Sequence, residues 1–217
     1  MRGRERYTWF APVYDLLSGE RRVYRAGRVT GINALMLRPG ALVLDIGCGT
    51  GLSFPLIRAA VGPTGRIVGV DASLDMLARA RAQTERRGWE NTDLVCADAT
   101  TLTQASFRES LGHGHDTNGA DAVLFAYSLS VMTDWPQAWR AVTAAARPGA
   151  RVAVVDMRTP TGNATGFAPL ARLACALGGS DINAHPWTSL ERDCTDVRAW
   201  SLRGGHIQVR AGTLRQQ

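Results

Sequence analysis

Three glycines at alternate positions, Gly47, Gly49 and Gly51, follow the apolar run in "VLDIGCGTGL" (43–52), and Asp45 stands two residues before the first of them. Two further acids close later apolar runs: Asp71 in "RIVGVDA" and Asp98 in "LVCADA". A glycine-dense turn after a strand lets a ligand approach the backbone, because no Cβ stands in the way. A carboxylate at a strand end can accept both hydroxyls of a ribose. A nucleoside is therefore the first ligand to consider. The dinucleotide pattern G-x-G-x-x-G would need glycine where this chain has Leu52, and Asp45 would stand near the diphosphate that helix-end N–H groups attract. A cationic or zwitterionic ligand suits the same acid. These features argue against a nicotinamide-dependent oxidoreductase.

The elements that must position these residues can be read from hydropathy. Apolar runs predict strands at "ALVLDIG", "RIVGVDA", "TDLVCADA", "ADAVLFAYS" and "ARVAVVDM". Helical spacing predicts helices at "SFPLIRAAV", "LDMLARARAQTERRG", "TQASFRESL" and "DWPQAWRAVTAAA" between them. Two more helices are expected ahead of the first strand, around "PVYDLLSGE" and "RRVYRAGRVTGINALML". "DVRAWSL" and "HIQVRAGTL", joined through Gly204-Gly205, read as an antiparallel hairpin at the sheet edge. Near-continuous apolar strands alternating with helices imply an α/β, doubly wound, mostly parallel sheet covered on both faces. The polar stretch 112–120 is expected to be an exposed loop away from the ligand. One domain spanning 1–217 is expected, with lid helices at 1–38, a cofactor-binding core at 41–158, and a substrate-side segment and hairpin at 159–217.

In this order and at these separations, "VLDIGCGTG", "VGVDAS" with "LDML", "CADA", "DAVLFAYSLSVMTDW" and "RPGARVAVVDM" resemble the motifs of the class I S-adenosylmethionine-dependent methyltransferases over residues 30 to 160. The resemblance implies a Rossmann-like, seven-stranded sheet whose last strand inserts antiparallel, and S-adenosyl-L-methionine as cofactor. Carried over by position, Gly47, Cys48, Gly49 and Gly51 would pass under the methionyl part, where any side chain at the glycines would collide with it. Asp45 would orient the ammonium group and Asp71 would hold the ribose. Ala72 and Met76 would flank the adenine, Asp98 and Ala99 would contact its edge, and Tyr127 would meet the cofactor after the fourth strand. Each has a plainer structural use as well: glycines 47 and 51 as a tight turn, Met76 as helix core, Asp98 as a helix cap. A non-catalytic nucleoside-binding module of the same fold is the alternative from another class.

Methyl transfer asks mainly for alignment and exclusion of water, with a general base only when the acceptor arrives protonated. Candidates are Tyr14, Tyr127, Ser128 and His185, and the other histidines (His113, His115, His206) read as solvated. Metal dependence is not expected, since no histidine pair has ligand spacing. The place after the fourth strand reads "AYSL" instead of the D/N-P-P-aromatic tetrad of base-amine methylases, which argues against nucleic acid.

The net charge is +6, with all 25 basic residues arginine. The N-terminal 28 residues hold seven arginines against three acids, interleaved with Tyr7, Trp9 and Phe10, a composition that suits an anionic membrane surface. "YTWFAPVYDLLSG" and "HPW" resemble bacterial phosphatidylethanolamine N-methyltransferases, and quinone-ring methyltransferases share the "YD" opening. The leading expectation is an amine acceptor on a phospholipid headgroup or small metabolite, with a small-molecule hydroxyl or quinone carbon as the alternative. No run approaches the roughly 18 apolar residues of a membrane span. The chain therefore reads as cytoplasmic, peripheral to the inner membrane face at most, and its oligomeric state stays open. The four cysteines, Cys48, Cys96, Cys175 and Cys194, lack paired spacing and read as buried small hydrophobes.

Overall fold

The structure, a computed structural model, describes residues 23–103, 105 and 119–215. Seven strands form one sheet: β1 (Leu42–Ile46), β2 (Arg66–Asp71), β3 (Thr92–Cys96), β4 (Ala120–Ala126), β5 (Ala146–Met157), β6 (Cys194–Leu202) and β7 (Ile207–Leu214). Their order is β3-β2-β1-β4-β5-β7-β6. The first five run parallel, and β7 lies antiparallel to both β5 and β6. The described helices are α1 (Tyr24–Ala34), α2 (Phe54–Val61), α3 (Leu74–Arg86), α4 (Trp135–Ala144), α5 (Ala168–Leu177) and α6 (Trp187–Asp193). This is the doubly wound sheet and trailing hairpin that the apolar runs predict. The expected first N-terminal helix, most of "TQASFRESL" and nearly all of the 112–120 loop lie outside the described residues.

Local chemistry sets the helix ends. Ser73 starts α3 by accepting the Met76 N–H, and Asp134 starts α4 by accepting that of Gln137 at 3.1 Å. Pro55 and Pro136 occupy first-turn positions, where a missing N–H costs nothing. All five residues of β1 are buried, as a central parallel strand requires. Its alternation splits the core in two. Val43 packs with Ile32 and Leu35 of α1 and Phe54 and Ile57 of α2, whereas Leu42, Leu44 and Ile46 pack with Trp139 of α4 and Leu190 of α6. Asp45 shares the side of Val43 and faces the α1 layer.

Two expectations change. The fifth strand begins at Ala146, not Ala150: Ala146 pairs with Ala120, and the ladder resumes at Arg151, opposite Ala122. Arg147, Pro148 and Gly149 bulge out exposed between them, because proline has no N–H for the ladder and Gly149 has φ +76°. Of the cysteines, Cys48, Cys175 and Cys194 are buried, but Cys96 is exposed at the end of the edge strand β3.

Helix α1 approaches the sheet through two glycines one turn apart. A Cβ on Gly31 would overlap Val155, and one on Gly27 would overlap the Tyr127 hydroxyl. Alanine inside a helix ordinarily gains about 1 kcal/mol over glycine. Here overpacking against β5 outweighs that gain, so Gly31→Ala should lower stability by about 1–3 kcal/mol in urea unfolding. A stabilised variant would show that the α1 seam is looser than described.

Candidate active site

Strand order reverses between β1 and β4, and at their carboxyl ends the glycine loop turns into α2, the place where an open α/β sheet forms a ligand crevice. The loop hangs from β2: Gly47 and Cys48 both donate their N–H to the Val70 carbonyl, at 2.8 and 3.0 Å. From α3, Gln83 donates its amide to the carbonyls of Thr50 and Gly51, at 3.2 and 2.9 Å. The three glycines have positive φ of +64°, +56° and +82°, but they answer to different neighbours. A Cβ on Gly47 would run into Ser128, and one on Gly51 would stand 2.6 Å from the Phe54 ring. Of the three, only Gly49 would place a Cβ with no atom of the described residues within 4 Å. Packing alone therefore requires glycine at 47 and 51, whereas Gly49 borders space open among the described residues. The Cys48 side chain turns into the core towards Gly69, where burial pushes its thiol far up and leaves it inert.

Asp45 is 1% exposed, and one of its carboxylate oxygens has no hydrogen-bond partner among the described residues. Burial pushes its pKa up to about 7, opposed by the positive charge of Arg28 and a hydrogen bond from Ser53. Asp71 is better supplied. It accepts the N–H of Gly49 and that of Ser73, each at 2.9 Å, so the second strand's acid also pins the open glycine. Burial raises its pKa, and backbone hydrogen bonds oppose the rise. Ala72 is exposed and Met76 half-buried, which places both at the surface beside Asp71. Asp98 is exposed, and one of its oxygens accepts the N–H and hydroxyl of Thr100, at 2.9 and 2.7 Å; it caps the turn at Ala99–Thr101, where Ala99 is buried.

Tyr127 follows β4 with φ +60°. Its hydroxyl donates to the Tyr24 carbonyl of α1 at 2.7 Å, its ring meets that of Tyr24 edge-on with centroids 5.1 Å apart, and Arg28 lies 5.3 Å from its centroid. Burial drives its pKa further above the ordinary phenol value. With its proton committed and its ionisation suppressed, this phenol is arranged as a bracket for α1 and not as a proton acceptor. Ser128, next in sequence, is buried, and its hydroxyl has no hydrogen-bond partner among the described residues. His185 is half-buried with φ +47°, its ring 4.9 Å from that of Trp187. Tyr14, His113 and His115 lie outside the described residues.

Several residues that shape the site were not singled out from sequence. Arg28 is buried beside Asp45. His206, expected to be solvated, is 7% exposed, with its Nδ1–H donated to the Arg158 carbonyl at 2.7 Å. Asp156, next to last in β5, is fully buried and accepts from the Ser130 hydroxyl at 2.6 Å, the Ser130 N–H at 3.1 Å and the Met157 N–H at 2.8 Å. Burial raises its pKa to about 6. Ser130 in turn lies 2.8 Å from the Ser180 hydroxyl and accepts the Asp181 N–H, also at 2.8 Å, which ties the substrate-side loop to the end of β4. An acid closing the apolar run "VAVVD" was the visible signal for Asp156; Gln83 and Arg28 carried none.

Residues 43–149 match the family described as a methyltransferase domain. The ubiquinone/menaquinone biosynthesis C-methyltransferase UbiE of Hahella chejuensis is 32% identical over 70% of this chain and 57% of its own length. A 2-phytyl-1,4-naphtoquinone methyltransferase of Nostoc sp. is 30% identical over 69% of this chain and 62% of its own. The chain thus spans about three-fifths of the curated relatives it matches. Among solved structures, a SAM-dependent methyltransferase from Aquifex aeolicus superposes with TM-score 0.62 at 17% identity, covering 86% of this chain and 89% of that one. The cyclase SpnF does so with TM-score 0.69 at 17% identity, over 98% and 95%. Residues 43–149 thus carry a methyltransferase domain, and the sheet has the fold of the class I S-adenosylmethionine-dependent methyltransferases. The curated relatives it resembles include quinone-biosynthesis methyltransferases.

S-adenosyl-L-methionine fits the residues present. The Asp45 oxygen without a partner among the described residues calls for a buried donor, the space at Gly49 admits a chain passing over it, and the Asp71 carboxylate keeps acceptor capacity for a ribose hydroxyl beside its backbone donors.

Two outcomes are expected. Gly49→Ala should fold, losing about 1 kcal/mol to its left-handed backbone, yet bind S-adenosylhomocysteine at least roughly ten-fold more weakly in calorimetry. The raised pKa of Asp45 means that its contribution to unliganded stability is complete below about 4 and is lost as pH rises through about 7. Between pH 5 and 8 the stability difference between wild type and Asp45→Asn should therefore move towards the variant, by about 1–3 kcal/mol in urea titrations. Movement in the other direction would contradict the burial described.

Proposed function

We propose that this protein transfers a methyl group from S-adenosyl-L-methionine to a small quinone-type ring, at a ring carbon. The observation that carries the transfer is the buried Asp45, incompletely partnered among the described residues, beside the open face of Gly49. That arrangement favours a ligand bearing an ammonium group over a diphosphate. The names of the curated relatives support the acceptor. The amine acceptor expected from "YTWFAPVYDLLSG" and "HPW" finds no support among them and gives way to the carbon alternative.

When bound, S-adenosylmethionine supplies a methyl group on a cationic sulfur that departs as a neutral thioether. This chain's residues then have three tasks. Asp45 and Asp71 fix the two ends of the ligand. Tyr127, through Tyr24, holds α1 against the crevice and keeps water out. Methylation of a ring carbon forms a carbon–carbon bond and releases the proton that carbon carried. His185 is our candidate acceptor for that proton. It is half-exposed on the loop anchored to Ser130, steadied by Trp187. No comparable base is offered by Tyr127, whose proton is already donated.

A labelled-methyl assay over demethylated naphthoquinols, phenols and amines tests this reading. Transfer to the quinol ring carbon is expected, reduced at least roughly ten-fold in kcat with little change in KM for His185→Gln. Cofactor binding without turnover on any acceptor would favour the non-catalytic module. Transfer to amines alone would restore the discarded acceptor.

A further inference from the structure

Helix α5 is held to the core by Ala168, Ala171 and Cys175 alone among its residues. Its other side carries Leu170, Leu173 and Leu177, exposed by 65%, 57% and 81%, and Phe167 immediately before it is exposed by 66%. At 3.6 residues per turn these four and Ala174 fall within one arc of about 120°. A soluble monomer seldom leaves so many large apolar side chains side by side in water.

The charge around the stripe indicates its partner. No acidic residue occurs from Arg158 to Ser180, a stretch that includes α5 and the turn before it. Arg172 on α5 is exposed, and so are Arg158 and Arg203 at the foot of the segment. Arg158 donates its N–H to the His206 carbonyl at 2.8 Å, and Thr161 donates to that of Gly204 at 2.9 Å, so the β6–β7 turn carrying Arg203 abuts the start of the segment. An apolar helix face within a stretch that carries arginines and has no acid from 158 to 180 matches the boundary of a bilayer whose headgroups are anionic. A protein–protein face would have no comparable need to exclude acids.

We infer that α5 is an in-plane docking helix, which seats this protein on an anionic lipid bilayer with Phe167, Leu170, Leu173 and Leu177 among the acyl chains. The helix is also well placed for traffic. Asp156, next to last in the strand before it, and Ser180, in the loop after it, are both bonded to Ser130 at the carboxyl edge of the sheet. A ring substrate dissolved in the bilayer would therefore enter next to the crevice. That use rests on the quinone-type acceptor proposed above; the docking itself does not.

Flotation of the full chain with vesicles separates the two. Vesicles of equal parts phosphatidylcholine and phosphatidylglycerol should carry the wild type upward, and phosphatidylcholine alone should carry far less of it. The triple variant Leu170→Gln, Leu173→Gln, Leu177→Gln should lose roughly ten-fold or more in lipid partition, and Arg172→Glu should lose part of it. Both variants should bind S-adenosylhomocysteine as the wild type does, which shows that they are folded. Flotation of the triple variant equal to wild type would overturn the inference, and so would no flotation of either. A wild-type dimer that the triple variant abolishes, without lipid binding, would likewise overturn it in favour of contact between copies. No acceptor is present in this experiment, so its failure would leave the methyl-transfer reading standing, and failure of the methyl-transfer assay would leave the docking result standing.

Discussion

A carboxylate buried without a full set of partners governs the rest of this structure. Removing Asp45 from water disfavours its charge, and what the chain supplies in return, Arg28 and Ser53, leaves its pKa near 7 and one oxygen without a partner among the described residues. A ligand that brought a donor to that oxygen would offset the cost of its burial. The glycine loop leaves room for one. Val70 and Gln83 hold the loop from two sides, Gly47 and Gly51 let it pack against Ser128 and Phe54, and Gly49 is left with its α-carbon facing space open among the described residues.

Asp156 is equally buried and also has a raised pKa, yet it has the opposite character. Three donors converge on it, two of them from Ser130. A buried acid that accepts three donors fixes structure. Asp156 thereby sets the position of the loop that carries His185, and Asp45 is the acid we propose meets the ammonium group of the ligand. Tyr127 joins the two regions: its strained backbone follows β4, and its hydroxyl reaches the backbone of α1, the helix that also brings Arg28 to Asp45.

The sheet was legible because parallel strands buried on both faces write themselves as apolar runs, and the acids ending those runs marked Asp45, Asp71 and Asp98 directly. The antiparallel place of β7 followed from the Gly204-Gly205 turn and from the family likeness. Less was visible of contacts made across the fold. Gln83 acts on a loop more than thirty residues away, and Arg28 and Tyr127 meet across about a hundred, so no local pattern announces either. His206 looked solvated because a hairpin turn normally is; here Arg158 bonds its ring and its carbonyl, and the Tyr24 ring lies 6.0 Å away. The three glycines formed one motif in the sequence, but their separate reasons depend on Ser128 and Phe54, which only packing reveals.

Calorimetric titration of S-adenosylhomocysteine at pH 7, in two buffers of different ionisation enthalpy, tests the role of Asp45 most directly. The ammonium group of the ligand favours the charged carboxylate, so binding should release a fraction of a proton, about one half if the pKa is near 7. The release should vanish in Asp45→Asn. Proton uptake, or the same release in the variant, would show that Asp45 is not where the ligand's positive charge is read.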